Sequence, residues 1–478
     1  MYKKYGLFLN GAWCEASDKQ SAPVFSPVTQ ESLGNVPYAT HADTQEAIAC
    51  AEKGFEVWRK KSSFERADAL HLVADTMTRR RQEGATMISM ETGKPLVQSE
   101  REWNLSIDQF RWMAEEARRV YGRVVESRVP GGRFEISHEP VGVAAAFTAW
   151  NFPAALVARK VAPALAAGCS IVIRPSSQTP GVAMVMVDCI REAGIPAGVV
   201  NLVVGPTSTT YAPIMAAPSV RKVSLTGSTR VGQQMLRDAA DTVKKTSMEL
   251  GGNAPLIIYD DADLELALNV SVATKYANAG QVCVTADRFF VHESLHDAFV
   301  KGFVERAKAL KLGDGMDTAT QMGPLINAAR MDEMESIVEN AVAAGARIAT
   351  GGRRSPAHAR GFFFEPTVLV DVTDGMKVFE QENFGPIAAI TTFRDDAEVI
   401  QRANASEMGL SAYAFTRSAK RIRETVAGLK VGMVGINSFA MAASEAPFGG
   451  TKYSGMGREG GIEGISDYLD TKLAQIVL

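Results

Sequence analysis

Cysteine is scarce in this chain. Only five occur among 478 residues, at Cys14, Cys50, Cys169, Cys189 and Cys283, an odd number in which no two share metal-ligand spacing. That excludes a disulfide framework and a cysteine zinc site, and it favours reduced thiols in a cytoplasmic setting. Long hydrophobic runs are missing too: nowhere do roughly 18 uncharged apolar residues stand together, so no membrane span is expected. The first residues, Met1 to Asn10, carry charge but no apolar stretch adequate for a secretory signal. Neither charge sign dominates, with 51 basic residues against 54 acidic ones. Such a balance gives no electrostatic footing for nucleic acid or an acidic membrane. There is no low-complexity segment, no fixed-period repeat and no GxxxxGK[ST] phosphate loop, and Gly227-Ser228-Thr229-Arg230-Val231-Gly232, read as a strand-to-helix turn, is not the GxGxxG fingerprint.

Histidine is sparse as well, and two of the six fall in His292-Glu293-Ser294-Leu295-His296, which matches the HExxH zinc pattern. Zinc binding there needs both rings on one helical face. Arg288–Val291 reads as a strand running into His292, Ser294 as a helix N-cap and Asp297 as the acidic residue three positions on. The helix would then begin after His292, so no metal is expected.

The length allows roughly two to four domains. Residues 63–122 read mainly as helices, opening at Ser63-Phe64-Glu65-Arg66 with Leu70, Val73 and Met77 at helical spacing. Residues 123–140 alternate about Pro130-Gly131-Gly132, a hairpin signal. From Val141 onward short apolar runs (141–147, 171–173, 199–204, 223–225) alternate with helical stretches such as 182–192 and 231–240. This βαβα alternation predicts a parallel sheet with helices on both faces. A second α/β stretch follows Glu249, with strands near 256–259 and 289–291, and residues 473–478 read as a last strand.

Two glycine-flanked groups carry chemistry: Glu249 in Met248-Glu249-Leu250-Gly251-Gly252-Asn253-Ala254-Pro255, and Cys283 in Gly280-Gln281-Val282-Cys283. A thiolate can attack a carbonyl, and a carboxylate can activate water against the resulting thioester. Phe147-Thr148-Ala149-Trp150-Asn151-Phe152-Pro153 supplies an amide able to hold an oxyanion. Taken alone, Cys283 could be a buried hydrophobe, Glu249 a solvated carboxylate and Asn151 a turn residue. Other segments stand in a definite order: Arg174-Pro175-Ser176-Ser177-Gln178-Thr179-Pro180, Leu225-Thr226-Gly227-Ser228-Thr229, Glu382-Asn383-Phe384-Gly385-Pro386 and Pro447-Phe448-Gly449-Gly450. With these motifs in this order, the chain resembles the aldehyde dehydrogenase superfamily over nearly its whole length. Ala114-Glu115-Glu116-Ala117 and Gly455-Met456-Gly457-Arg458-Glu459-Gly460 are similar to the succinate-semialdehyde dehydrogenase branch.

The resemblance implies an α/β fold with a Rossmann-type cofactor domain (1–122 and 141–249), an α/β catalytic domain (250–450), and a β oligomerisation arm with C-terminal tail (123–140 and 451–478). A homodimer or homotetramer is expected. It implies NAD(P)-dependent oxidation of an aldehyde to an acid, with Cys283 as nucleophile, Asn151 as oxyanion donor and Glu249 as base. Thr148, Ala149, Trp150, Arg174, Ser176, Ser177, Gly227, Ser228, Leu250, Gly251, Glu382 and Phe384 are then the cofactor contacts. Ser177 stands where NAD-selective relatives carry a glutamate, and Arg174 where lysine is usual, so NADP should be accepted alongside NAD. Arg159, Phe152 and Phe448 are the substrate contacts, with Arg159 at a carboxylate-binding position.

The succinate-semialdehyde pattern is incomplete. Ala277 replaces a second arginine, alanines fill Phe439-Ala440-Met441-Ala442-Ala443-Ser444 where a serine is typical, and Thr285 replaces a second cysteine. Succinic semialdehyde therefore leads other aliphatic or aromatic aldehydes, and no disulfide is expected beside Cys283. A CoA-acylating relative and a non-catalytic binding protein are the remaining alternatives; Glu249, a base of little use when CoA replaces water, argues against the first.

Overall fold

The computed structural model describes residues 2–478. Its centre is the strand Val143–Phe147, Val-Ala-Ala-Ala-Phe, in which every residue is buried. Such a run suits a parallel strand covered on both faces. Ser170–Arg174 flanks it on one side and Val220–Thr226 on the other, both parallel to it. The sheet then continues outward to Val200–Leu202 and the hairpin Leu7–Leu9 and Ala12–Cys14 on the first side. On the second side lie Lys245–Glu249 and Gly455–Met456. Alternate residues serve the two faces: Ala144, Ala146, Ile171 and Ile173 enter one core, and Val143, Ala145, Phe147, Val172 and Val223 the other.

Chain order runs in opposite directions on the two sides of Val143–Phe147. Such a reversal opens a crevice beyond the carboxyl ends of the strands, where open α/β sheets take ligands. The helix Pro153–Ala167 leads away from that crevice, starting on a proline in its first turn and ending at Gly168 with φ 99°. Both features fit helix-end chemistry.

Residues 250–253 pass directly from Lys245–Glu249 to Ala254–Ile258 in a seven-stranded sheet. Its order is Arg347–Thr350, Thr367–Val370, Ile387–Phe393, Ala286–His292, Ala254–Ile258, Ser411–Phe415 and Met433–Ile436. All pairs are parallel except the first. The amino ends of these strands therefore lie against the carboxyl ends of the first sheet. Cys283 precedes Ala286–His292, and Glu382 to Phe384 precede Ile387–Phe393.

The hairpin is formed by Arg123–Glu126 and Gly132–Pro140, and Leu469–Val477 adds a third antiparallel strand. This last strand starts earlier than the sequence suggests, because pairing begins at Leu469 with Pro140. Residues 455–456 of the tail join the eight-stranded sheet instead, antiparallel to Met248 and Glu249. Val124, Val125, Leu473 and Val477 of the three-stranded sheet are exposed. Among the described residues no helix is long and apolar enough to cross a membrane.

One local expectation is corrected. The helix Glu293–Ala309 is capped by His292, not Ser294. The imidazole Nδ1 accepts the Ser294 N–H at 3.3 Å and pairs with Ser294 Oγ at 2.8 Å. A histidine acceptor can replace the usual hydroxyl, here two residues earlier. His292 is thus committed at the helix end, and His296 turns to Asp297.

Candidate active site

Cys283 ends a tight, strained turn. Asn278 and Ala279 have φ of 48° and 54°, the left-handed region that ordinary side chains avoid. Such outliers persist only where surrounding structure enforces them. Here Gln281 is fully buried: its Oε1 accepts the Ile326 N–H at 2.9 Å and its Nε2 donates to the Asn278 carbonyl at 2.9 Å. Tyr413 donates to the Val284 carbonyl at 2.6 Å. Thr285 Oγ1 donates to the Thr274 carbonyl at 3.5 Å, and all five cysteines are free.

Glu249, at the carboxyl end of its strand, reaches the same place. A Cβ on Gly252 would lie 2.4 Å from the Cys283 carbonyl, and one on Gly449 2.7 Å from Glu249 Oε1. Glycine is therefore required at both points for backbone, thiol loop and carboxylate to meet. Asn151 completes the arrangement from the end of the central strand. It, Cys283 and Glu249 all line one cavity of about 510 Å³. Asn151 Nδ2 donates to the Gln281 carbonyl at 3.1 Å, leaving one N–H for another acceptor.

Electrostatics couple the two reactive groups. Glu249 is 4% exposed, and neither carboxylate oxygen has a hydrogen-bond partner. Burial holds it well above the usual carboxylate range, and the Glu459 carboxylate adds to this; Lys160, Arg159 and Arg458 pull the other way. Burial pushes the Cys283 thiol up to about 12, with help from Glu249 and Glu382 and opposed by Arg159. Two negative charges are disfavoured together here.

The cavity continues toward the crevice past Ala149, Trp150, Gly227, Ser228, Leu250, Gly251, Glu382 and Phe384. Ser228 caps the helix Thr229–Ala240, so backbone donors and the positive helix end face this opening. Glu382 Oε1 accepts the Gly252 N–H at 2.9 Å, and burial pushes its carboxyl up to about 7. Phe384, at φ 48°, meets Trp150 edge to face at 5.6 Å. Arg330 fixes that loop by donating to the Asn383 and Phe384 carbonyls at 2.7 and 2.9 Å. These features suit a dinucleotide: a crevice, a helix start and a flat aromatic wall leading to the thiol.

Thr148, Arg174, Ser176 and Ser177 lie outside the cavity lining. They sit at or just beyond the ends of Val143–Phe147 and Ser170–Arg174, farther along the sheet edge. Two nitrogens of Arg174 are engaged, with Gly205 O at 3.0 Å and Thr210 Oγ1 at 3.4 Å. At the other end, Phe152, Arg159 and Phe448 do line the cavity, and the Arg159 guanidinium stacks 4.1 Å over the Phe448 ring.

The sequence profile described as "Aldehyde dehydrogenase family" matches residues 13–474. The chain belongs to the aldehyde dehydrogenase family. It is 42% identical to a 3-sulfolactaldehyde dehydrogenase of Pseudomonas putida, over 98% of this chain and 96% of that one. It is 40% identical to an NADP(+) succinate-semialdehyde dehydrogenase of Escherichia coli, over 97% of this chain and 96% of that one. The solved structure of a succinate-semialdehyde dehydrogenase from Burkholderia pseudomallei superposes with a TM-score of 0.97 at 42% identity, covering 99% of this chain and 98% of that one. This aldehyde dehydrogenase is an oxidoreductase that oxidises aldehydes with NAD(P).

Three neighbours of the site went unnoticed as functional candidates in the sequence. Lys160 lies buried beside Glu249, donating to Thr226 Oγ1 at 2.6 Å and pairing with Glu459. The third is Lys94, described below. Glu459 stood inside a quoted motif and Lys160 directly after Arg159, but no local pattern says that residues 299 positions apart will pair.

Proposed function

We propose that this enzyme oxidises an aliphatic aldehyde with an anionic far end, succinic semialdehyde first among candidates, to the acid through a thioester on Cys283. The observation that carries the substrate class is Arg159. It is 5% exposed, and its Nη2 is buried with no partner. A buried cation with an unmet donor favours an anion. The surrounding wall (Leu105, Phe152, Leu156, Val282, Val284, Phe448) is apolar and suits a short carbon chain.

In this reading the Cys283 thiolate, its proton released to solvent, attacks the aldehyde carbon, and Glu249 stays ionised for the later hydrolysis step. The Asn151 amide and the Cys283 backbone N–H hold the oxyanion. Bound NAD(P) supplies the hydride acceptor. Glu249 then removes a proton from water, water attacks the thioester, and the acid leaves with the thiol restored. Gly227, Ser228, Gly251, Glu382 and Phe384 are assigned to the cofactor near the thiol, and Arg174, Ser176 and Ser177 to its adenosine end. The exposed apolar residues of the three-stranded sheet support its role as an oligomerisation arm in a cytoplasmic homodimer or homotetramer.

Arg159→Met should raise KM for succinic semialdehyde on the order of 10- to 100-fold, as expected on losing a charged hydrogen bond. Its effect on an uncharged aldehyde of similar length, such as pentanal, should be about threefold or less. Equal effects on both would remove the anion-binding reading.

NADP is accepted in this reading, because Ser177 presents no carboxylate to repel a 2′-phosphate and Arg174 adds a fixed positive charge. Ser177→Glu should lower kcat/KM for NADP on the order of 10-fold or more, and that for NAD far less. Strong native selectivity for NAD, unaltered by Ser177→Glu, contradicts it.

A further inference from the structure

Lys94 and Glu102 form an ion pair far inside the protein, each side chain about 1% exposed. Burying two charges costs several kcal/mol per ion before their attraction is counted, and an apolar pair of like size often serves stability as well. Their contacts explain what the pair does beyond packing. Lys94 Nζ donates to Glu102 Oε2 at 2.6 Å and to the Asn151 carbonyl at 2.8 Å. It also lies 4.1 Å over the ring of Phe152. Glu102 Oε1 accepts the N–H groups of Ala154 at 2.8 Å and Ala155 at 3.3 Å, the first turn of the helix Pro153–Ala167. The pair therefore grips residues 151–155 from both sides.

A second strut joins this turn to the cysteine loop. Asn278 Nδ2 donates to the Asn151 carbonyl at 3.0 Å and to the Gln281 carbonyl at 3.2 Å. Asn151 Nδ2 donates to that same Gln281 carbonyl. The ring of contacts from Asn151 through Asn278 to Gln281 closes on the Asn151 amide. Only Lys94 and Glu102 tie this ring to charge.

We propose that Lys94 and Glu102 are positioning residues for the oxyanion amide: they fix the turn so that the free N–H of Asn151 points at the oxygen of the carbonyl attacked by Cys283. The inference rests on the oxyanion role given to Asn151 above. A misplacement near 1 Å at such a donor costs on the order of 100-fold in rate.

The test is a double-mutant cycle read in the first turnover, with succinic semialdehyde and NADP mixed rapidly and NADPH formation followed. Lys94→Met leaves Glu102 buried without its cation and is prone to misfold. Lys94→Met/Glu102→Gln removes both charges and keeps an acceptor for Ala154, so it is the working variant. It should slow the first turnover on the order of 10- to 100-fold, with NADP affinity within about threefold of native. In an Asn151→Ala background the same pair of changes should cost less than about threefold more, because the donor they aim is gone. A native first-turnover rate, or an equal loss in both backgrounds, overturns the inference. Asn151→Ala with a native first-turnover rate removes the oxyanion reading itself, and this inference with it.

Discussion

Cys283→Ala is expected to abolish aldehyde oxidation, lowering kcat on the order of 10⁴-fold or more. It should leave NADP affinity within about threefold of native. Cys283 is the one cysteine lining the cavity that also holds Asn151 and Glu249, and alanine keeps the volume small enough for the loop to stay folded. That loop is held by Gln281, Asn278 and Tyr413 rather than by the sulfur. Near-native turnover in this variant, followed as NADPH absorbance, would overturn the covalent route.

Glu249→Gln should separate the two halves of the reaction. The amide cannot take a proton from water, so the thioester should form and then persist. Rapid mixing should show a burst of NADPH, about one per active site, followed by turnover slowed on the order of 10²-fold or more. The sign of the pH effect follows from burial. Glu249 is raised well above the ordinary carboxylate range, so at low pH it is protonated and cannot act as base. Hydrolysis-limited turnover should therefore rise with pH through that raised pKa and level off above it. In Glu249→Gln this rise should vanish. The same change removes the largest charge cause that raises the Cys283 thiol, so the thiolate should form at lower pH than in the native enzyme. An unchanged steady state in the variant would show that another group is the base.

The chemistry was legible in the sequence because it sits in short glycine-rich turns whose residue types are themselves informative. Glu249 followed by two glycines, Cys283 after Gly280-Gln281 and Asn151 before Phe152-Pro153 each announce a backbone that must approach something closely. The sheet was legible from Val143–Phe147 and its successors, where apolar runs too short for helices alternate with helical stretches. What could not be read is what pairs across distance. Lys94, just before a helix, and Glu102, inside it, look like ordinary surface charges, and only folding shows them buried against the Asn151 turn. Lys160 and Glu459 are hidden for the same reason. The N-cap was misjudged because serine is the commoner cap, while here the imidazole of His292 takes the role. Ala277 stands where a second arginine is expected, so the anion-binding reading rests on Arg159, whose Nη2 is buried and unmet; Arg330 also lines the cavity with an unmet Nε, but its guanidinium is committed to the Asn383 and Phe384 carbonyls.

The most direct test of the central claim is mass spectrometry of Glu249→Gln, acid-quenched just after the NADPH burst with succinic semialdehyde. A thioester mechanism predicts a succinyl group on the peptide containing Cys283, in amount equal to the burst. A burst with Cys283 unmodified, or with the acyl group on another residue, would contradict it.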